Sequence, residues 1–373
     1  MKPICRLLFI FILLININVL AQGRYSVSGT IADESGTMQK GATVFISGSQ
    51  KITTSDDAGQ FEFTDLDPGT YQLSVKLLGF YPYTENIQVH DKPVKLNIKL
   101  KVKTVVLNEV VIGNGDNWAA NYAIFKAQFL GTSDNAKQCV ITNPRVVSFG
   151  SAGRNVLTAE ADEFLIIENN KLGYRVHYLL KDFKFDKTLL RTKYDGDTNF
   201  EELEGPPEMK MQWAQNRLAA YQGSLMHYLR SVYTNTTVKE GFLTYQLYEL
   251  ADGKLGMKSL KSDNRLLKID TITTVIDTSF ISLKFTAIQI DYDPEKAASI
   301  QKSEIDSLAK FNPVYNSGTY NTSSILKLYL PKAIIDRKGN YTDYRTFLCQ
   351  GNWGKKRIGD QLPFEYQPPI VTQ

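Results

Sequence analysis

Histidine and cysteine are scarce in this sequence, since its 373 residues include only three of each. Zinc sites, haem ligation and cysteine catalysis depend on these side chains, so the composition speaks against those chemistries and predicts no metal and no cofactor. An excess of one charge is also missing, because 43 Lys and Arg stand against 39 Asp and Glu. Without a basic block that would bind phosphates, nucleic acid is not a predicted partner.

Long apolar runs are absent after the first 21 residues. Those residues combine a basic start, an apolar run and small residues before a cleavage point, namely Lys2 and Arg6, residues 7–15, and Val19 and Ala21. This order predicts a signal peptide over residues 1–21 and therefore an exported protein. A retained membrane anchor is the alternative, but the run is shorter than the ~20 residues that a spanning helix needs. The mature chain is expected to have no transmembrane span.

Two cysteines follow the predicted signal peptide, Cys139 and Cys349. In an oxidising compartment such an even pair is a candidate disulfide, which would close a long loop. Two buried free thiols are the alternative. The spacing in the sequence leaves both open, because it says nothing about geometry.

The region from residue 22 to 104 consists of short alternating runs separated by turn residues. The runs are residues 25–31, 42–46, 61–63 and 71–75, and the turns are residues 33–36, 56–59 and 67–69. Period-two alternation places one face of each run in a core, so we expect an all-β sandwich. Asp56 is expected to cap the turn that ends at Gly59, and the aromatic residues of the runs are expected to fill the core.

The same residues resemble the carboxypeptidase regulatory-like domain, a transthyretin-like sandwich. The resemblance rests on Val27-x-Gly29-x-Ile31, Gly41-Ala42-Thr43-Val44, Thr54-x-Asp56-x-x-Gly59-x-Phe61-x-Phe63, Leu66-x-Pro68-Gly69-x-Tyr71-x-Leu73-x-Val75 and Gly79-Phe80. It implies an accessory module of envelope proteins, and hence a location in the periplasm or at the outer membrane. It implies no peptidase activity, because zinc carboxypeptidases need His-x-x-Glu and no histidine here is followed by Glu three positions later.

Residues 105–113 resemble the segment that joins this sandwich to the plug of glycan-importing TonB-dependent receptors. The remaining chain of about 260 residues is too short for such an importer. We therefore interpret residues 105–116 as a linker.

Residues 117–373 predict a second domain of the α+β class, mainly antiparallel. Helices are expected from Asn117 to Gly131, over about 207–231, and over about 294–310 with Asp293 as its cap. The aromatic stripe of the first helix is expected to pack in a core. Residues 129–133, 221–230 and 350–353 resemble the uncharacterised region that accompanies the sandwich in exported proteins of glycan-using bacteria, which implies no activity.

The strongest candidate for a ligand site is Ser224, His227 and Arg230. Their spacing of three places them along one face of the second predicted helix, where they could converge on an anionic or sugar ligand. Polar contacts with neighbouring strands are the alternative. No Gly-x-Ser-x-Gly motif occurs, and a triad on one helix face seldom aligns for nucleophilic attack, so no catalytic residue is predicted.

Residues 195–201 place oxygen-bearing side chains at alternate positions, as at the start of a calcium loop. Phe200 stands where that loop needs glycine, and Pro206 stands at the closing acid. An acidic surface loop is therefore the favoured interpretation, and no metal site is predicted.

The leading functional hypothesis is a non-catalytic binding or assembly protein of the bacterial cell envelope, with a carbohydrate or a protein as its partner. Tyrosine and tryptophan faces stack on sugars while their polar tips form hydrogen bonds. Two alternatives stay open. One is an envelope glycan or peptide hydrolase with unlocated carboxylates, and the other is a structural spacer beneath an outer-membrane importer.

Overall fold

The computed structural model describes residues 24–103, 117–250, 259–300, 323–341 and 345–369. The predicted signal peptide, the predicted linker and residues 301–310 of the third predicted helix lie outside the described residues. Within the described ranges, no helix is long and apolar enough to cross a bilayer.

The first seven strands form a β-sandwich, as predicted. One sheet has the order β4-β1-β7 and the other the order β3-β2-β5-β6. The strands are β1 (Tyr25–Asp33), β2 (Thr43–Ile46), β3 (Ile52–Thr54), β4 (Gln60–Leu66), β5 (Gly69–Lys76), β6 (Tyr83–Val89) and β7 (Val94–Leu100). All pairs are antiparallel except β1 with β7, which run parallel. The two inner faces enclose a core of their own.

The turn before β4 shows how local chemistry sets the register of the sandwich. The Asp56 carboxylate accepts hydrogen bonds from the backbone N–H groups of Ala58 at 2.9 Å and Gln60 at 2.7 Å, which confirms the predicted cap. Gly59 has a φ of +69°, and a Cβ there would lie 2.5 Å from the carbonyl oxygen of Ile31. Only glycine fits this turn, which delivers β4 to its place beside β1.

The middle of the chain forms a six-stranded sheet, which we call the middle sheet. Its order is β8-β11-β12-β10-β9, with β13 on the other side of β12. The elements are α1 (Trp118–Leu130), α2 (Asp134–Lys137), β8 (Cys139–Ile141), β9 (Val147–Ser151), β10 (Val156–Ala161), β11 (Leu165–Asn169), β12 (Tyr174–Asp186), β13 (Arg191–Glu202) and α3 (Pro207–Tyr221). Phe125 and Phe129 of α1 are fully buried, with ring centroids 4.9 Å apart, which confirms the predicted packing stripe. Asn117 stands at the N-cap position of α1, where the predicted helix begins, but its side chain makes no capping hydrogen bond.

The last part of the described chain forms two further sheets, the C-terminal sheets. One has the order β15-β14-β18-β19-β21 and the other the order β16-β17-β20. The elements are α4 (Leu225–Tyr233), β14 (Phe242–Leu250), β15 (Ser259–Leu266), β16 (Thr273–Val275), β17 (Phe280–Leu283), β18 (Ala287–Tyr292), α5 (Pro294–Ser299), β19 (Ser323–Leu328), β20 (Ala333–Asp336), β21 (Phe347–Gly351) and α6 (Asn352–Lys355). Asp293 accepts from the Lys296 N–H at 2.9 Å, so its predicted capping role is confirmed. The antiparallel α+β class is also confirmed.

Two local predictions need correction. The helix predicted over 207–231 is two helices, because Gly223 takes a φ of +67° between them and Ser224 caps the second. The predicted acidic loop at 195–201 is neither a loop nor a calcium site, since these residues lie in β13. The carboxylate of Asp197 is fully buried in that strand.

The two cysteines lie in different sheets. Cys139 is on β8 in the core of the middle sheet, and Cys349 is on β21 beside the core of the C-terminal sheets. Both thiols are free, so the predicted disulfide is not formed in the structure, and the open alternative of two free thiols describes it.

Candidate functional site

The sandwich joins the middle sheet through the loop between β2 and β3. The N–H of Gly48 donates to the carbonyl of Thr198 at 2.7 Å, and the N–H of Phe200 donates to the carbonyl of Ser49 at 2.9 Å. The amide of Asn199 also donates to the Ser49 carbonyl, at 3.0 Å. The loop therefore extends the middle sheet by a short parallel bridge, and the backbone groups of both parts are satisfied across the junction.

A buried carboxylate forms the second contact between the sandwich and the middle sheet. Asp197 on β13 is 0% exposed and pairs with the Lys181 ammonium at 2.7 Å. The same carboxylate oxygen accepts hydrogen bonds from the hydroxyls of Ser74 at 2.6 Å and Thr84 at 3.1 Å, on β5 and β6 of the sandwich. One charge on the middle sheet thus organises polar groups from two strands of the sandwich.

The sandwich also contacts the turn after β20. Asp67 lies 3.0 Å from the Arg337 guanidinium and 3.1 Å from the Lys338 ammonium. Burial acts to raise the pKa of Asp67, but hydrogen bonds and charges from Lys338 and Arg337 outweigh it and hold the pKa below its usual range. Asp336 accepts from the N–H of Thr70 at 3.3 Å, so a second carboxylate spans the same junction.

The segment after β21 closes the assembly. The N–H of Phe364 donates to the Gly48 carbonyl at 2.8 Å. Gly48 has a φ of +77°, and a Cβ on it would lie 2.1 Å from the Phe364 ring. The guanidinium of Arg230 donates to the carbonyls of Lys338 at 3.0 Å, Phe364 at 3.0 Å and Tyr366 at 2.8 Å. This arginine holds two separate segments against helix α4.

A central cavity of about 740 Å³ lies where these parts meet. The sandwich contributes residues 46–49 and 70–72, the middle sheet contributes residues 191–196, and the C-terminal sheets and final segment contribute residues 338–341 and 353–365. No single part forms the walls. The cavity therefore exists only because the sandwich is docked in place.

Tyrosines and cations stand out among the cavity's lining residues. In the described part of the chain, five tyrosines line it, namely Tyr71, Tyr178, Tyr194, Tyr329 and Tyr341. Among the described residues, six basic side chains and three acidic ones line it, namely Arg191, Lys193, Lys338, Arg345, Lys356 and Arg357 against Asp195, Asp360 and Glu365. Burial raises the pKa of Tyr194 to about 12. Its hydroxyl therefore stays protonated at neutral pH and is available as a hydrogen-bond donor.

The three lining carboxylates have different surroundings. Asp360 accepts from the Ser133 hydroxyl at 2.6 Å and the Asn135 amide at 2.9 Å, so both its oxygens brace helix α2. Glu365 accepts from the backbone N–H of Gln50. Burial raises the pKa of Asp195 against the opposing charge of Lys181. Burial raises the pKa of Asp360 and Glu365 as well, so Asp195 differs from Asp360 in lacking a comparable bracing role and not in the direction of its pKa.

The residues predicted as a ligand site lie on α4 beside this cavity, but they do not converge. Ser224 lines the cavity, and its hydroxyl oxygen accepts from the His227 N–H at 3.1 Å as the helix cap. His227 is 6% exposed, accepts from the Gly223 N–H at 3.2 Å and lies 3.3 Å from Glu240. Arg230 donates to the three carbonyls described above. Each side chain therefore has protein partners, and their binding of a ligand stays a prediction.

Sequence reasoning missed the cavity residues because they are distant in the chain. Lys193 and Asp195 stood within or beside a stretch that looked like a surface loop, while Lys356 and Asp360 carry no motif. The one available signal was the alternation of residues 192–200, in which Thr192, Tyr194 and Gly196 interleave with charges. Such alternation is typical of a strand with two different faces.

A metal site finds no support in the described ranges, where no group of three or more His, Cys, Asp or Glu side chains could hold an ion. The lining of the cavity is chemically suited to binding. Aromatic faces accept sugar rings or apolar groups, tyrosine hydroxyls donate hydrogen bonds, and the cations pair with carboxylate, sulfate or phosphate.

Comparison with known proteins identifies the first part of the chain. Residues 26–101 match the model of the carboxypeptidase regulatory-like domain, which confirms the resemblance seen in the motifs. No family model names the C-terminal region. No curated protein matches the chain.

Solved structures that match the chain do so over short stretches. A streptococcal ancillary pilin is 12% identical over 21% of this chain and 32% of its own, with a TM-score of 0.20. Catechol 1,2 dioxygenase of Acinetobacter radioresistens is 8% identical over 26% of this chain and 57% of its own, with a TM-score of 0.21. BcpA, the major pilin subunit of Bacillus cereus, is 16% identical over 21% of this chain and 30% of its own, with a TM-score of 0.20. At such scores the matches say nothing about function.

Proposed function

We propose that this chain, which carries a carboxypeptidase regulatory-like domain at residues 26–101, is an exported, non-catalytic binding protein of the bacterial envelope. Its ligand is a carbohydrate or peptide with acidic groups, held in the central cavity. Residues 1–21 support export, because they have the composition of a signal peptide. The periplasm or the periplasmic side of the outer membrane is the proposed location.

The observation that carries the proposal is the cavity of about 740 Å³. This volume lies in the range of about 300–1,000 Å³ typical of small-molecule sites. Its tyrosines offer flat faces to sugar rings, and its basic side chains outnumber the acidic ones among the described residues that line it. An acidic oligosaccharide or an acidic peptide matches both features.

The sandwich has a structural part in this proposal. Residues 70–72 of the sandwich and the turn at 338–340 lie side by side in the wall of the cavity, tied by Asp67 and Asp336. The sandwich thus acts as one wall of the binding site. Residues 22–104 and 117–373 are proposed as the two domains, and the second contributes the other walls.

A direct test measures binding of defined oligosaccharides by calorimetry. The probes are a trisaccharide of hexuronic acids, a neutral hexose trisaccharide and a tripeptide rich in glutamate. We expect an acidic probe to bind, and the combined change Lys193→Gln and Lys356→Gln to weaken it about tenfold, because each removed cation contributes about 1 kcal/mol or less at a partly exposed site. Both residues line the cavity, and the Lys193 ammonium also lies 3.9 Å from the Asp182 carboxylate.

Lys184→Gln is the matched control. Lys184 lies directly across the ladder from Lys193, but it does not line the cavity. The Lys184→Gln variant should bind the acidic probe with unchanged affinity. Binding that is insensitive to the cavity variants, or that favours the neutral sugar, would refute the proposed site, and the absence of binding by all three probes would support the spacer alternative.

Hydrolysis is the second candidate function, and Asp195 is the observation that favours it. Asp195 is among the residues that line the cavity, and burial raises its pKa, as a general acid requires. If the chain is a hydrolase, the same acidic probes should be cleaved, and Asp195→Asn should abolish cleavage while the folded state and binding persist. Binding without turnover in the unchanged protein would eliminate this candidate.

A further inference from the structure

The hairpin of β12 and β13 ends in two exposed leucines. Leu189 is 64% exposed and Leu190 is 77% exposed. Leu190 also has a φ of +49°, a backbone conformation that glycine and asparagine adopt more readily than leucine. The stability of the fold gives no reason for an apolar side chain at this position. Asparagine or glycine would adopt this backbone conformation with less strain and would expose no apolar surface to water.

The turn that presents these leucines is held in a fixed shape. The Asp186 carboxylate accepts hydrogen bonds from the N–H groups of Thr188 at 2.8 Å and Leu189 at 2.9 Å. The neighbouring hairpin of β9 and β10 braces it, because Asn155 donates to the Thr188 hydroxyl at 3.0 Å and accepts at its carbonyl from the Lys187 N–H at 2.9 Å. The tips of two hairpins therefore project together.

Positive charge surrounds the leucines. Lys187 and Arg191 flank the pair in the chain, and Arg154 lies on the adjacent tip next to Asn155. All three side chains are exposed, and none has an ion-pair partner among the residues that the structure describes. Asp186 is the nearby acid, and its carboxylate is engaged by the turn itself. The tip thus combines an apolar point with a basic rim.

We propose that this tip, residues 187–191 together with Arg154, docks on an anionic lipid surface. In the docked state, Leu189 and Leu190 enter the boundary between headgroups and acyl chains, and the cations contact lipid phosphates. An anionic lipid surface offers an apolar layer to the leucines and negatively charged phosphates to the cations. The contact is peripheral and reversible, because two leucines bury far less apolar area than a membrane anchor.

The shape of the tip favours a lipid surface over a protein partner. A stable protein interface buries about 800 Å² on each side, which a single turn and one neighbouring side chain do not supply. A fluid interface needs no complementary groove and accepts a convex apolar point. The two leucines, Lys187 and Arg154 do not line the proposed ligand cavity, and Arg191 is the residue of the tip that also lines it.

A second hairpin tip provides an internal control. Val275, at the end of β16, is 74% exposed, close to the value for Leu190, and Ile276 beside it is 48% exposed. This tip is followed by Asp277, whose carboxylate accepts from the N–H groups of Ser279 and Phe280. It is apolar without a basic rim, so an anionic lipid surface should not attract it.

The test places an environment-sensitive fluorophore at each tip. In a Cys5→Ser background, Leu189→Cys and Val275→Cys are labelled with a nitrobenzoxadiazole dye and mixed with vesicles of phosphatidylcholine alone or of phosphatidylcholine with an equal share of phosphatidylglycerol. Dye at position 189 should shift to the blue on the anionic vesicles only, and added salt should reverse the shift. Dye at position 275 should not respond. An unresponsive position 189, or equal shifts at both positions, would overturn the proposal.

Vesicle co-sedimentation provides the second readout. Lys187→Gln combined with Arg154→Gln, two residues outside the cavity lining, should weaken binding to the anionic vesicles about tenfold or more. Leu189→Ser combined with Leu190→Asn should abolish the part of binding that exceeds the background of the apolar leader, which all variants share. Asparagine suits the φ of position 190, so this variant should keep its fold. A change of oligomeric mass in light scattering, with vesicle binding unaltered, would instead assign the tip to self-association and overturn the inference.

Discussion

The Nζ atom of Lys181 lies 2.7 Å from Oδ2 of Asp197, and a β-bulge makes this contact. The ladder of β12 and β13 pairs Leu180 with Gly196 and Asp182 with Asp195, so Lys181 is the extra residue of the bulge. A bulge turns one side chain away from the regular alternation. Here it brings the ammonium to the carboxylate that also binds the sandwich hydroxyls of Ser74 and Thr84.

Asp197→Ala should strongly destabilise the protein. The change leaves the Lys181 ammonium, whose side chain is 23% exposed, without its partner and removes the acceptor of two hydroxyls. Removing one partner of a buried ion pair costs about 3–5 kcal/mol. Urea unfolding measures the loss.

The control is Asp134→Ala, which breaks the exposed pair of Asp134 and Lys137. The side chains of that pair are 86% and 66% exposed, so solvent screens the pair and the urea midpoint should barely change. Similar losses for the two variants would show that the Asp197 cluster does not hold the sandwich in place.

The sandwich could be predicted from the sequence because its signals are local. Period-two alternation places Phe61 and Phe63 inward, and the turn at Asp56 and Gly59 is set by residues within four positions of each other. The stacked Phe125 and Phe129 of α1 are likewise one helical turn apart. Short-range periodicity carries this information directly.

The cavity could not be predicted, because its walls depend on contacts that no local pattern records. Gly48 meets Phe364 across more than 300 positions of the chain. Asp197 looked like part of an acidic loop, since alternate acids suit both a surface loop and a strand. The structure decides between them through burial, as the sandwich hydroxyls and Lys181 supply the partners that make a buried carboxylate tolerable.

Arg230→Ala should loosen the final segment of the chain. Arg230 donates to three carbonyls, at Lys338, Phe364 and Tyr366, and a hydrogen bond with a charged group contributes about 1.5–3 kcal/mol net of the competing bonds with water. We expect a stability loss of about 3 kcal/mol or more. The Phe364 amide, which donates to Gly48, should also lose protection in hydrogen exchange.

Arg24→Ala is the control for that experiment, because Arg24 is exposed and forms only a surface pair with Asp65. Its effect should be within about 0.5 kcal/mol. Unchanged protection of the Phe364 amide in the Arg230 variant would show that other contacts anchor the segment.

Ser224→Ala separates a capping role from a binding role. The hydroxyl caps α4 by accepting from the His227 N–H, and loss of such a cap costs about 1 kcal/mol. Ser224→Gly should lower the free energy of unfolding by only a few tenths of a kcal/mol, since glycine is tolerated at this position. Calorimetry with the acidic probes should show unchanged affinity for both variants, and a selective loss of affinity would instead assign Ser224 to the ligand.

Stability should fall as the pH falls below about 6.5, and His227 should contribute to this fall. Burial lowers the pKa of His227 from its usual 6.5, against the opposing hydrogen bond of Glu240. The unfolded chain then binds a proton more readily than the folded chain, so the stabilisation is present above about pH 6.5 and is lost toward the lower folded pKa. Burial lowers the pKa of His177 in the same direction.

Urea midpoints compared at about pH 7.5 and about pH 5.5 measure this dependence. Burial raises the pKa of carboxyls such as Asp336, and such groups make the folded state more stable as the pH falls, which is opposite to the effect of His227. The informative quantity is therefore the difference in pH dependence between the unchanged protein and His227→Gln. That variant should show a weaker loss at the lower pH. An identical pH dependence would remove His227 from the cause.

Both cysteine thiols should be unreactive in the folded protein. Burial raises the pKa of Cys139 to about 12, and burial raises the pKa of Cys349 to about 12 as well. Thiol reagents attack the thiolate, which is almost absent at neutral pH under these conditions. In a Cys5→Ser background, Ellman's reagent should therefore report almost no thiol before denaturation and two thiols after it, and the reduced and non-reduced proteins should migrate together on a gel. Absence of both thiols after denaturation without reductant would demonstrate a disulfide between Cys139 and Cys349, and would require the middle and C-terminal sheets to approach each other at β8 and β21.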